Sequence, residues 1–215
     1  MTAGETRRRY DSSRRQEGAR QTRLKILAAA EQLFVSKGYA ATTIAETAVA
    51  AGVAQQTVYA AFGTKRAILK ELADIRIAGD DEPVPMMERP FVQRILEEPD
   101  VRRKLEIFAA HLSAVHERTV DILTALRAAA DSDPDVADLW RTLLDQRQRG
   151  QEAFAQHLAG TGELRADLDV PRAAGVITTL MEHDLYTRLV RDSGWSRADW
   201  ECWYADLLAY ALLTP

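Results

Sequence analysis

Two adjacent glutamines, Gln55 and Gln56, followed by Tyr59 and then Lys65, are the residues of this 215-residue sequence whose types and spacing most suggest chemistry. A carboxamide carries a donor and an acceptor in one plane and so matches the N6/N7 edge of adenine in a major groove; a phenol hydroxyl or an ammonium suits a phosphate. To act together they must stand on one side of a helix. Val53, Val58 and Phe62 recur on what would be its inner side, which leaves Gln55, Gln56, Tyr59 and Ala60 outside. A shorter helix is expected just before it. Thr43 and Glu46 have capping-box spacing, Ile44 and Ala48 keep one apolar side, and Gly52 sits where a left-handed residue would end the helix. The turn between the two has the length a helix-turn-helix needs. The same spacing also suits a solvated helical hairpin with nothing against its outer amides.

Other chemistry is sought and not found. His111, His116, His157 and His183 are too scattered to put two ligands on one helical face, and no HExxH sequence or cysteine pair exists. There is no glycine-rich phosphate loop and no nucleophile-elbow pattern. Glu97, Glu98 and Asp100, like Asp131, Asp133 and Asp135, fall in loops or at helix starts, where they complement helix dipoles. No enzyme, metal or cofactor is expected. Cys202 is the single cysteine, which excludes an internal disulfide, and it reads as a packed residue on a helix.

The elements that must hold the hairpin are helical. Residues 1–20 carry six arginines and almost no apolar side chains, so the composition predicts an unstructured basic arm that lies along phosphates or in a minor groove, or is simply solvated. From Gln21 the spacing of Ile26, Leu27, Ala30, Leu33 and Phe34 predicts a core helix stopped by Gly38. Thr64 should cap a further helix running to about Ala78. Residues 1–70 hold twelve Lys or Arg against five Asp or Glu, a net of +7, and residues 71–215 hold sixteen against twenty-seven, a net of −11. Such asymmetry marks a polyanion-binding module joined to a part with another task. No apolar run is long enough to span a membrane, and a cytoplasmic protein is expected.

Gly38-Tyr39, Thr42-Thr43-Ile44, Ala51-Gly52-Val53, Thr57-Val58-Tyr59, Phe62 and Thr64-Lys65 together resemble the signature of the TetR family of bacterial transcription regulators, over about Leu24 to Leu72. The resemblance implies an all-α fold, with a three-helix helix-turn-helix DNA-binding domain over residues 21–65 and a larger helical ligand-binding and dimerisation domain over 66–215. It adds Thr42, Thr43 and Thr57 to Gln55, Gln56, Tyr59 and Lys65 as candidate contacts to double-stranded operator DNA. Three positions depart from the family pattern. Ala54 replaces a serine cap, Gln56 a frequent glycine and Ala61 a bulky residue, so base preference does not transfer from relatives.

Beyond the acidic, proline-containing connection at 79–90, every segment has a helical period. One segment carries Val101, Leu105, Phe108, Leu112 and Val115, and a second Ile122, Leu123 and Leu126. A third opens at Pro134 and ends at Gly160. The last two run from Asp169 through Leu189 and from Ser196 to the end of the chain. Both are apolar on more than one side, which predicts a homodimer formed through them. In TetR-like proteins the larger half encloses a small-molecule effector. Phe108, Leu112, Trp140, Leu144, Met181 and Leu185 are the candidate lining, with core packing as the plain alternative. Arg147 is either a rim residue or the group that orients an anionic ligand. The expected function is a ligand-responsive homodimeric repressor released by an apolar or amphipathic effector. The alternative is a DNA-binding protein with no pocket, controlled by a protein partner or constitutive.

Overall fold

The computed structural model describes residues 3–214, with side chains from Arg14 onward. Ten α-helices follow one another: α1 Ala3–Lys37, α2 Ile44–Ala51, α3 Gln55–Phe62, α4 Lys65–Ala78, α5 Pro90–Glu97, α6 Val101–Ala130, α7 Pro134–Ala159, α8 Val170–Leu180, α9 His183–Tyr186 and α10 Arg197–Leu212. A 3₁₀ turn at Met86–Glu88 precedes α5, and a π-helical turn at Thr187–Asp192 follows α9. Among the described residues the only strand-like pairing is an isolated bridge between Leu164 and Leu213. No helix among them is long and apolar enough to cross a membrane. The fold is all-α with an N-terminal helix-turn-helix.

Two compact units divide the chain: Met1–Asp74 with Asp121–Ala137, and Ile75–Val120 with Asp138–Pro215. This division differs from a boundary at residue 65, because the end of α6 and the start of α7 belong with the helix-turn-helix.

Unit 1 is built on α1, whose Ile26, Leu27, Ala30 and Phe34 are buried along with Val58 of α3 and Ile68, Leu69 and Leu72 of α4. The expected arm is a correction: residues 3–20 are helical and continue α1. Lacking apolar residues, this stretch cannot pack, but helix formation does not require packing once a nucleus exists. The anchored part of α1 supplies that nucleus, and Arg, Glu, Gln and Ala extend it at one backbone bond per residue. Gln21 donates to Glu17 at 2.7 Å on the same face.

Unit 2 packs α6, α7, α8 and α10 around Leu105, Phe108, Leu112, Leu158, Ile177, Trp200, Tyr204 and Leu208. Three local readings change here. First, α6 is one 30-residue helix and not two segments, since no glycine or proline interrupts it. Second, α5 emerges from what composition marks as connection. Pro90 sits in its first turn, and the buried Lys104 donates to the Ile95 carbonyl at 2.6 Å near its end. Third, the helix expected from Asp169 through Leu189 breaks after Leu180, with Glu182 extended at φ −62°, ψ 134°. Partners on α7 explain that break. The Thr178 hydroxyl donates to Gln148 at 3.1 Å and the Glu182 carboxylate pairs with Arg147, while within α8 the Thr179 hydroxyl donates back to the Gly175 carbonyl at 2.8 Å.

The last turn of α4 is held by arginines of unit 2. Arg118 of α6 donates to the Arg76 carbonyl at 3.1 Å, and Arg89 bridges to Asp80 at 2.8 Å. Gly79 lies at φ +94° with the Arg118 guanidinium 3.2 Å from where a Cβ would stand. The positive φ favours glycine there, and an added Cβ would also press on the Arg118 guanidinium.

Candidate nucleic-acid interface

The helix-turn-helix is set by local chemistry. Thr43 takes the N-cap of α2: its hydroxyl accepts from the Glu46 backbone N–H at 3.2 Å, while the Glu46 carboxylate accepts from the Thr43 N–H at 2.9 Å. Lys37 reaches the same carboxylate at 2.5 Å. Hydrogen bonds from Lys37 and then Thr43 hold the Glu46 carboxyl down at about 2. At the other end Gly52 adopts φ 67°, and Val53 donates to the Ala48 carbonyl at 3.0 Å, closing the turn. By contrast α3 begins at Ala54 with no side-chain cap.

The inner side of α3 is anchored by Val58, 0% exposed, and by Phe62. Arg23 of α1 lies 4.3 Å over the Phe62 ring, donates to the Ala61 carbonyl at 2.6 Å and pairs with Glu71 of α4. One guanidinium thus ties three helices at the end of the recognition helix. The outer side presents Gln55, Gln56 and Ala60 to solvent, with Tyr59 49% exposed, and Val49 of α2 stands out at 82%.

The other sequence candidates are placed differently. Thr42 is buried, and its hydroxyl donates to the Gly38 carbonyl at 2.9 Å. Thr43 is exposed but engaged in the cap, and Thr57 is half-buried. Lys65 also makes contacts within the protein. Its ammonium donates to the carbonyls of Tyr39 and Thr42 at 2.8 and 2.9 Å and lies 4.1 Å over the Tyr39 ring. Burial lowers its pKa and, more strongly, pushes the Tyr39 phenol up to about 12. Lys65 therefore clamps the α1–α2 turn to the start of α4. Next to it Arg66 donates to the Asp135 carbonyl at 2.7 Å, which brings the α6–α7 turn against the same end of α4 within unit 1.

In unit 2 the proposed lining separates. Phe108, 7% exposed, and Leu112 are core residues, and Phe108 stacks on Phe154 at 4.7 Å. Met181 packs against that core half-buried. Trp140, Leu144 and Leu185 are half-buried as well. Arg147 pairs with Glu182 through one end of its guanidinium, while its Nε is buried without a hydrogen-bond partner among the described residues. Cys202 is a further correction: it lies on α10 but is exposed.

Sequence spacing passed over the polar groups of this core. His116 continues the Phe108–Leu112 stripe of α6 at i+4, and that periodicity was the available signal. His116 is 4% exposed, 5.3 Å from the Tyr186 ring and 5.7 Å from Trp200, which stacks on Tyr204 at 4.5 Å. Among the described residues, His116 Nε2, Gln151 Oε1, Trp200 Nε1 and Tyr204 Oη have no hydrogen-bond partner. Burial, with help from the charges of His183 and Arg147, lowers the His116 pKa to about 3, so the ring is neutral. No cluster of metal-ligating side chains occurs among the described residues.

Residues 26–72 match the profile of the bacterial regulatory proteins, tetR family. The chain is 28% identical over 168 residues to a probable HTH-type transcriptional regulator, ArpR, from Pseudomonas putida, covering 75% of this chain and 77% of that protein. Its fold is similar to that of NalD, the secondary repressor of the MexAB-OprM multidrug efflux pump in Pseudomonas aeruginosa, with TM-score 0.71 and 21% identity over 92% of this chain and 98% of that one. It is similar also to FadR from Bacillus subtilis in complex with stearoyl-CoA, with TM-score 0.67 and 22% identity over 86% and 96%. The profile falls on the helix-turn-helix, so residues 26–72 form a TetR-type DNA-binding region, and the chain as a whole is similar to transcriptional regulators of that family.

Proposed function

We propose that the protein is a homodimeric repressor that reads a pseudo-palindromic operator through α3 and leaves it when unit 2 takes up a small apolar or amphipathic effector. The observation that carries this reading is the outer side of α3, where Gln55, Gln56 and Tyr59 face solvent over a buried Val58 and Phe62. Dimerisation is supported by α10, which buries Trp200, Tyr204 and Leu208 yet leaves Tyr210 83% exposed and Trp203 and Leu207 half-buried. A helix apolar on that many sides is covered by a second copy. Paired recognition helices then meet half-sites ~34–36 Å apart.

Effector control is supported by the unpartnered polar atoms in the core of unit 2 and by the stearoyl-CoA held in FadR, a relative in fold. Such a ligand must prefer the DNA-incompetent state by roughly 10⁴-fold to empty the operator, and the operator must weaken the ligand by the same factor. The stacked Phe108–Phe154 and Trp200–Tyr204 pairs favour a second reading, regulation without a pocket, through a protein partner or none.

Light scattering and operator anisotropy on Leu207→Glu test the assembly. The parent should be a dimer, and the variant should be monomeric or aggregated with operator affinity lost, because an unpaired carboxylate is costly to bury. A variant that stays a tight dimer moves the interface elsewhere. Native mass spectrometry with operator anisotropy separates the two readings of unit 2: a co-purifying small molecule that lowers operator affinity supports the first, and a dimer that retains no small molecule and whose operator affinity no apolar ligand changes supports the second.

A further inference from the structure

We infer that the core of the half-site read by this chain is built of A·T pairs, with Gln55 and Gln56 on adenine and the Ala60 methyl against the C5-methyl of thymine. This rests on α3 being the helix that enters the major groove.

The whole of α3, Gln55–Phe62, contains no Lys, Arg, Asp or Glu. Guanine offers two acceptors, O6 and N7, and is read by the paired donors of Arg or Lys; the N4 donor of cytosine is read by a carboxylate. Neither charged reader is present, and the Thr57 hydroxyl, of a kind that serves any base, is on a half-buried residue. What α3 does offer is a carboxamide, which answers adenine with a donor and an acceptor together, twice, in its first turn. In docked helix-turn-helix proteins that is the part of the recognition helix that contacts base edges.

The cations nearest the hairpin are already engaged within unit 1. Lys65 holds two carbonyls, Arg23 holds Glu71 and the Ala61 carbonyl, Arg66 holds the Asp135 carbonyl and Lys37 holds Glu46. Drawing one of them into the groove to read guanine would break an existing contact.

Ala60 lies one turn after Gln56 on the same side and is exposed. Its methyl can match only an apolar feature, and the thymine methyl is the apolar group of the major-groove edge. Adenine under Gln56 with a thymine under Ala60 is therefore a consistent reading of one stripe.

The test starts from a fully randomised duplex pool, selected with the full-length protein. The enriched half-site should have an A·T core. Replacing its adenines singly with 7-deazaadenine, which lacks N7, should weaken binding about tenfold at one or two positions. Replacing a contacted thymine with deoxyuridine should weaken it about fourfold, the worth of one buried methyl. Gln56→Ala should erase the 7-deazaadenine effect at one position, and Ala60→Ser should erase the deoxyuridine effect. A G·C core overturns the inference, as does an A·T core indifferent to both analogues. A pool that shows no enrichment overturns the DNA-reading function itself, and this inference with it.

Discussion

Around the hairpin of unit 1, polar groups find partners: Thr43 with Glu46, Glu46 with Lys37, Lys65 with the Tyr39 and Thr42 carbonyls, and Arg23 with Glu71. In the core of unit 2, His116, Gln151, Trp200 and Tyr204 each keep a polar atom without one among the described residues. An unmade buried hydrogen bond costs about 1–3 kcal/mol, so the two units have spent their polar groups differently. The first uses them to fix the shape of a surface. The second keeps them inside an apolar layer.

The largest expected effect probes unit 2. The His116 pKa falls from an unfolded value near 6.5 to about 3. Between those values the unfolded chain binds more protons than the folded one, so stability is full above pH 6.5 and declines as pH falls toward 3. The loss should be on the order of 4 kcal/mol across that window, and His116→Phe should flatten it in urea unfolding followed at several pH values. An unchanged profile in that variant would place the titration on another group.

Lys65→Ala probes the clamp in unit 1. Two charge-assisted hydrogen bonds and a ring contact are removed, which should cost roughly 1.5–3 kcal/mol in chemical unfolding. The salt slope of duplex binding should stay the same, since this ammonium faces carbonyls and not phosphates. A slope reduced by about one would return Lys65 to a phosphate-contacting role.

A smaller effect sets α2 against α3, two eight-residue helices with opposite starts. Thr43→Ala should destabilise by about 1 kcal/mol, whereas Ala54→Ser should stabilise by a similar amount, because it supplies the cap that α3 lacks. Thermal melts of both variants check the pair. If Ala54→Ser changes nothing, the start of α3 is satisfied in some other way.

How much could be read in advance follows the same division. The capping box, the Gly52 turn, the missing cap at Ala54 and the caps at Thr64, Asp169 and Ser196 are encoded within a few residues, and each is visible in the structure. The clamp made by Lys65 depends on carbonyls 23 and 26 positions away, which side-chain type alone does not reveal. The break after Leu180 depends on Gln148 and Arg147, more than thirty positions back. Periodicity ran through it unaware, as it ran past His116. Cys202 was judged by the apolar character of α10, whose buried stripe of Trp200, Tyr204, Leu208 and Leu212 does not include it.

The central claim is that α3 reads bases while the rest of unit 1 only holds it in place. Anisotropy competition between the selected operator and a scrambled duplex, with the parent and with Gln55→Ala/Gln56→Ala, tests it directly. The double variant should keep its affinity for the scrambled duplex and its salt slope, while its preference for the operator falls by about 1–3 kcal/mol for each lost bidentate pair. A variant that still prefers the operator as strongly as the parent would contradict the claim.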